Sequence, residues 1–252
     1  MNKIKVISEH AIEATRLTKS FGDFIAVDAI NFTVAQGEVF GFLGANGAGK
    51  TTAMRMLCGL LTPTSGQAKV AGFDISKETE EMKKNIGYMS QKFSLYDNLT
   101  VLENIRFYGG IYGIERKSLQ EKSKELVQRL GLWDEANKLV RTLPLGWKQK
   151  IAFSVAILHD PKVVFLDEPT GGVDPITRRQ FWDMIYEATE RGITVFVTTH
   201  YMDEAEYCNR VSMMVDGAIA ALDTPATLKA NFQVKTMDEV FYLLARGAKR
   251  SE

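Results

Sequence analysis

Residues 44–52 read GANGAGKTT, and no other stretch restricts the possible folds as much. They fit G-x-x-x-x-G-K-[ST], the spacing of a phosphate-binding P-loop. Phosphate is large and anionic, so backbone must approach it closely and offer donors. Gly44, Gly47 and Gly49 lack a Cβ and reach conformations that other residues avoid. The N–H groups of the loop, Ala45, Asn46 and Ala48 included, can then turn inward as an anion nest. Lys50 supplies a point charge, and Thr51 a hydroxyl suited to Mg²⁺, an ion that prefers oxygen ligands. Residues 39–43 are apolar and read as a buried strand. Residues 52–60, from Thr52 on, read as a helix whose positive end would face the phosphate.

The rest of the chain supplies an α/β framework. Of 252 residues, 45% are hydrophobic and 25% charged, a globular composition. Lysine plus arginine equals aspartate plus glutamate at 31 each, so no overall basic field draws the chain to nucleic acid. Cys58 and Cys208 match no metal or redox spacing and read as small buried residues in a reducing compartment. The N-terminal segment is too polar for a signal peptide, and no run of 18 apolar residues is present. The expected location is cytoplasmic, with any membrane span carried by other chains.

In order, short β-like runs fall at 12–17, 24–27, 30–34 and 38–43, with turns at 22–23 and 36–37. Phe21, beside the first turn, is either a core aromatic or a face on which a base stacks; position alone does not separate the two. Strands are expected at 68–71 and 86–89, with a charged surface helix over 77–84 between them. Residues 101–112 and 117–130 have helical spacing, and Thr100 with Glu103 forms a capping box. Together with their flanks, residues 92–145 read as a helical insertion in the α/β core. A helix over 147–158 ends at His159-Asp160-Pro161, where His159 reads as a helix-end polar residue rather than a metal ligand. Then come a strand at 162–166, a helix from Asp174-Pro175 to about 190, a strand at 193–198, a short helix at 202–207, a strand at 210–215 and a helix at 237–245.

Such alternation implies a largely parallel sheet with helices on both faces, and ligand binds beyond the carboxyl ends of its strands. The P-loop, Asp167-Glu168, Gln91 and His200 all follow strands directly and can converge there. Asp167 is suited to holding Mg²⁺, and Glu168 to orienting or activating water at a γ-phosphate. His200 can contact the same phosphate, and the Gln91 amide can reach the metal. A guanine-specific switch would need N-K-x-D; Asn137-Lys138-Leu139-Val140 lacks the aspartate.

These residues together resemble the ATP-binding subunits of ABC transporters over about residues 10–230. GANGAGKTT is the P-loop, Gln91 in GYMSQ sits at the Q-loop, and VVFLDEPTGGVDP is similar to a Walker B strand followed by a D-loop with Asp174. TTH ends at the switch histidine, His200, and Phe21 matches the adenine-stacking aromatic. The resemblance implies a P-loop NTPase (RecA-like) core with an antiparallel β subdomain and a helical signature subdomain. The implied boundaries are 10–91 and 146–222 for the core with its β subdomain, 92–145 for the helical subdomain, and 231–252 for a C-terminal helix and tail. It also implies ATP and Mg²⁺ as ligands, with Thr51, Gln91 and Asp167 at the metal and Glu168 and His200 catalytic. Two ATPase domains would dimerise head to tail, each ATP lying between one P-loop and the other domain's LSGGQ-type signature. Here Leu143-Pro144-Leu145-Gly146-Trp147 stands in for that signature, without its serine and first glycine. The LPLG-x-KQ form is similar to the second ATPase half of YbhF-like tandem multidrug efflux proteins, of the ABC-2 export type. The implied partners are ABC-2-type permease subunits, a second ATPase domain and a membrane fusion protein, at the cytoplasmic face of the inner membrane. Phe93, Leu95, Tyr96 and Leu99 are the expected permease contacts. A soluble ABC protein acting on ribosomes or complex assembly is the rival; the ribosomal type usually carries two ATPase domains and a charged linker within one chain.

Overall fold

The apolar runs become the spine of a layered α/β fold. The computed structural model describes residues 9–91 and 95–246. Strands β1 (His10–Phe21), β2 (Phe24–Ala35), β4 (Ser65–Val70) and β5 (Phe73–Asp74) form an antiparallel sheet in the order β2-β1-β4-β5. A second sheet contains β3 (Val39–Leu43), β6 (Ile86–Met89), β7 (Val163–Asp167), β8 (Thr194–Thr199), β9 (Arg210–Val215) and β10 (Ala218–Asp223). Its order is β10-β9-β3-β8-β7-β6, with β10 antiparallel at one edge and the other neighbours parallel.

β3, β7 and β8 are buried along their whole length, as expected of parallel strands covered on both faces. Their alternate side chains enter different cores. Phe40, Phe42, Phe165 and Phe196 face the antiparallel sheet, where Phe32 joins them in a layer whose neighbouring ring centroids lie 5.2–6.1 Å apart. Helix α1 (Lys50–Leu57) packs into that layer. Val39, Leu43, Val164, Leu166, Val195 and Val197 face the opposite core. There they meet α5 (Leu145–Ala156) and α6 (Pro175–Glu190), which contribute Phe153 and Trp182. Helices α3 (Val101–Ile111) and α4 (Arg116–Arg129) extend this core, while the short α2 (Thr79–Lys83) lies near β5 and β6.

Several local readings change on contact with the structure. The runs at 24–27 and 30–34 are one strand, kinked where Ala29 takes φ 44°. The strand expected at 68–71 begins at Ser65, and α5 begins at Leu145 rather than 147. The last strand β10, and α7 (Pro225–Phe232) after it, were not expected. The helix at Met237–Ala245 is α8, and the capping box of Thr100 and Glu103 is present at the start of α3. Phe93 lies outside the described residues. Leu95 is buried in the core and is not a surface contact, whereas Tyr96 is half-exposed and packs edge-on against Phe107 at 4.8 Å.

His159 joins layers rather than merely ending a helix. Its ring stacks on Tyr112 at 3.8 Å, and its Nε2 donates to Ile86 O at 3.0 Å. Burial is the main cause holding its pKa below 6.5, although the Ile86 carbonyl and Asp160 act the other way. The folded chain therefore prefers neutral His159, and the unfolded chain takes up the proton first as pH falls below about 6.5. We expect wild-type stability to drop from about pH 6.5 downward until the folded form is also protonated. His159→Gln, which keeps a donor for Ile86, should show a shallower drop in Tm over the same range; parallel curves would refute this.

Candidate nucleotide site

The P-loop turns from β3 into α1 at the carboxyl edge of the parallel sheet. Gly49 is the N-cap of α1 at φ 103°, and a Cβ there would stand 2.4 Å from Ala26 O. Gly44 is confined in the same way, with a Cβ falling 2.4 Å from Met214 O. The loop is also held from the β9–β10 turn, because Gly217 N donates to Ala48 O. Around it lies a cavity of about 470 Å³ lined by Asn46, Gly47, Gly49, Lys50, Thr51, Thr52, Gln91 and Glu168.

Phe21 and Phe24 stand at the mouth of that cavity. They are directly paired across β1 and β2, and each is about half exposed, at 52% and 53%. Phe21 is thus not a core residue, and Lys19 Nζ lies 5.2 Å from its ring centre. Phe24 and Ala26 also line the cavity and were not read from the sequence.

The charged groups form one connected cluster. Lys50 is only 5% exposed, and its amine donates to Gly44 O at 2.8 Å and Ala45 O at 2.9 Å. Glu168 Oε1 lies 3.8 Å from that amine. Burial holds the lysine's pKa below its usual value, opposed by the charges of Glu168 and Asp167. The other Glu168 oxygen accepts from Gln91 Nε2 at 2.8 Å and sits 3.2 Å from His200 Nδ1. Gln91 therefore reaches Glu168, and its contact is not with Asp167. Asp167, ending β7 and almost fully buried, accepts from Thr51 at 3.3 Å and from Thr198 at 2.6 Å. The Thr51 hydroxyl and Asp167 carboxylate are a hard-oxygen pair of the kind Mg²⁺ selects. Glu168 itself adopts φ 48°, a left-handed conformation that costs about 1–3 kcal/mol outside glycine.

Leu143 and the stretch Pro144 to Trp147 do not join this cluster. Pro144 caps α5 with no side-chain hydrogen bond, and Leu143 is buried in the core. Pro144 through Trp147 line a separate cleft of about 310 Å³ with Gly172, Asp174 and Thr177. Gly146 is required there, since a Cβ would come within 2.5 Å of Thr177 Cγ2. Asp174 caps α6, accepting from Ile176 N and Thr177 N at 3.0 Å and from the Thr177 hydroxyl at 2.6 Å. Those bonds, the hydroxyl's first, hold its pKa down.

A family model described as ABC transporter matches residues 27–171, spanning the P-loop, Gln91 and the Asp167-Glu168 pair. The chain belongs to the ABC transporter family. As an ABC ATP-binding domain it is 51% identical over 222 residues to the probable multidrug ABC transporter ATP-binding protein YbhF of Escherichia coli (strain K12). That match takes in 88% of this chain but 38% of YbhF, so the chain spans about two fifths of that relative. The linearmycin resistance ATP-binding protein LnrL of Bacillus subtilis (strain 168) is 36% identical over 218 residues, 86% of this chain and 70% of LnrL. A solved structure described as the ATP binding subunit of an ABC transporter shares the fold at a TM-score of 0.84 and 24% identity, over 93% of this chain and 99% of that one.

Lys50→Ala removes the one cation of the P-loop. A charge-assisted hydrogen bond is worth about 1.5–3 kcal/mol, so affinity for a fluorescent ATP analogue should fall roughly tenfold to a hundredfold. Unchanged affinity in a fluorescence titration would contradict the placement of phosphate at this loop.

Proposed function

We propose that this chain is an ATP-hydrolysing subunit that powers an ABC-2-type membrane exporter. The observation that carries the reading is Glu168, one carboxylate poised between Lys50, Gln91 and His200 beside the Asp167–Thr51 pair. In this reading the P-loop N–H groups and Lys50 bind the phosphates, and Phe21 stacks on the adenine. Glu168 accepts a proton from water as its oxygen attacks the γ-phosphorus, and ADP departs. His200 orients Glu168 and the terminal phosphate. Thr51 and Asp167 hold Mg²⁺, with Gln91 approaching from the Glu168 side. When bound, that ion offsets the negative charge of the phosphate oxygens.

Export of drug-like or antibiotic compounds is proposed from YbhF and LnrL, whose names describe a multidrug transporter and linearmycin resistance. No helix among the described residues is long and apolar enough to cross a membrane, so permease subunits would supply the path. The chain would sit peripherally on the cytoplasmic face, and a membrane fusion protein would complete the exporter. The partly exposed ring cluster of Tyr96, Phe107 and Tyr108 offers a surface for the permease. The division into a core with its β subdomain, a helical subdomain over 92–145 and a tail beyond 230 belongs to the same reading.

Glu168→Gln keeps Asp167 and Thr51 but removes the base. Turnover should fall by about 10²–10⁴-fold, the usual contribution of a positioned base, with nucleotide still bound. Full turnover in a phosphate-release assay would move water activation elsewhere.

Pro144 and Leu145 favour a heterodimer. Proline has neither a hydroxyl nor an N–H to offer a phosphate. A partner with an ordinary LSGGQ would complete this chain's P-loop site, while the Pro144–Trp147 cleft would face the partner's nucleotide and mainly hold it. Losing one preorganised donor typically costs roughly 10²–10³ in rate. The purified chain alone should therefore hydrolyse slowly, and Pro144→Ser with Leu145→Gly should raise its rate several-fold. Robust cooperative hydrolysis by the unmodified chain, indifferent to the double substitution, would make the cleft a working signature in a homodimer.

A further inference from the structure

Thr198 is the fifth residue of a six-residue strand and, read locally, is merely a β-branched filler. The fold gives it a defined task. β7 and β8 pair in parallel with Asp167 opposite Thr198. The Thr198 side chain is completely buried, so its hydroxyl must find partners within the protein. It donates to Asp167 Oδ1 at 2.6 Å. The Thr198 hydroxyl oxygen in turn accepts from the Glu168 backbone N–H at 3.1 Å, and the Thr198 carbonyl accepts from that N–H at 3.1 Å as well. One residue thus holds the Asp167 carboxylate by its donor and the Glu168 backbone by two acceptors.

Glu168 needs such a hold. Its φ of 48° is the bend that turns its side chain to Lys50, Gln91 and His200. A left-handed non-glycine residue persists only where its surroundings over-determine it. Without the clamp, Asp167 would keep only the longer 3.3 Å bond from Thr51 among the contacts just described.

We propose that Thr198 is a positioning residue, fixing Asp167 toward the metal-side hydroxyl of Thr51 and locking the Glu168 backbone in its left-handed bend; this rests on the ATPase reading above. A hydroxyl is required and a methyl is not. Valine matches threonine in shape and lacks the donor, whereas serine keeps it.

The test compares the full chain with Thr198→Val and Thr198→Ser. Amide exchange by NMR, without nucleotide, reads the clamp directly. The Glu168 amide should exchange several-fold faster in the valine variant, with the β8 amides unchanged. Titration of a fluorescent ATP analogue against Mg²⁺ reads the metal side. Loss of one bond to a charged group should raise the half-saturating Mg²⁺ by about tenfold in the valine variant, leaving metal-free affinity within about twofold. Serine should restore both readouts. Wild-type exchange and wild-type Mg²⁺ dependence in the valine variant would overturn the proposal. So would equal damage in the serine variant with lost protection throughout β8, which marks a packing role. A wild-type chain that binds no nucleotide would sink the ATPase reading instead. Exchange at Glu168 would then decide the clamp, faster exchange in the valine variant supporting it and equal exchange overturning it.

Discussion

The parallel pairing of β7 with β8 is the constraint from which the site follows. It sets Asp167 opposite Thr198, and the next residues in each chain direction are Glu168 and, two steps on, His200. A slip of one residue would exchange the two faces of the strand. Phe165 would leave the aromatic layer, and the aspartate would leave Thr51. Burial of the two cores therefore fixes the register, and the register fixes the chemistry. The same sheet places β3 beside β8, which brings the P-loop to that edge.

Two clefts in one chain, and their separation, fit the paired arrangement proposed above. The P-loop cavity holds the charged cluster but none of Leu143 to Trp147. The second cleft, roofed by the start of α5, contains the cap of α6 instead of a phosphate loop. A surface with one half of a site at each end is complementary to a rotated copy or a close relative, the geometry of a closed two-fold assembly. Gln149 ties the two regions together within the chain, its Nε2 donating to Gly171 O at 3.1 Å in the loop that follows Glu168.

What the sequence made legible were residues whose chemistry is visible at the end of an apolar run. The P-loop, Asp167, Glu168, Gln91 and His200 are of that kind, and the structure brings each of them to one edge. Thr198 was not legible, because threonine is ordinary in a strand and its partner is set by cross-strand register. Phe24 was hidden for a similar reason: only the pairing of β1 with β2 sets it beside Phe21. β10 escaped notice because its small residues, AIAALD, alternate weakly and are only partly buried. The start of α7 did carry a signal, since Thr224 caps it and Pro225 opens it. The kink at Ala29, and the φ of 49° that Arg16 adopts in β1, have no sequence signature, as neither is a residue that favours positive φ.

The bend at Glu168 sets folding and turnover against each other at a single backbone position. Glycine would relax a left-handed residue by about 1–2 kcal/mol, against roughly 0.5–1 kcal/mol of added chain entropy. Against that gain stand the contacts of Glu168 with Lys50 and Gln91, whose loss would leave a buried cation short of its counter-charge. Directed evolution that rewarded heat resistance alone would drift toward Glu168→Gly wherever the relaxed backbone outweighs those contacts, and would discard the proposed base in doing so. Stabilised descendants of this domain should thus be screened for turnover at every round, because position 168 is where the two demands part.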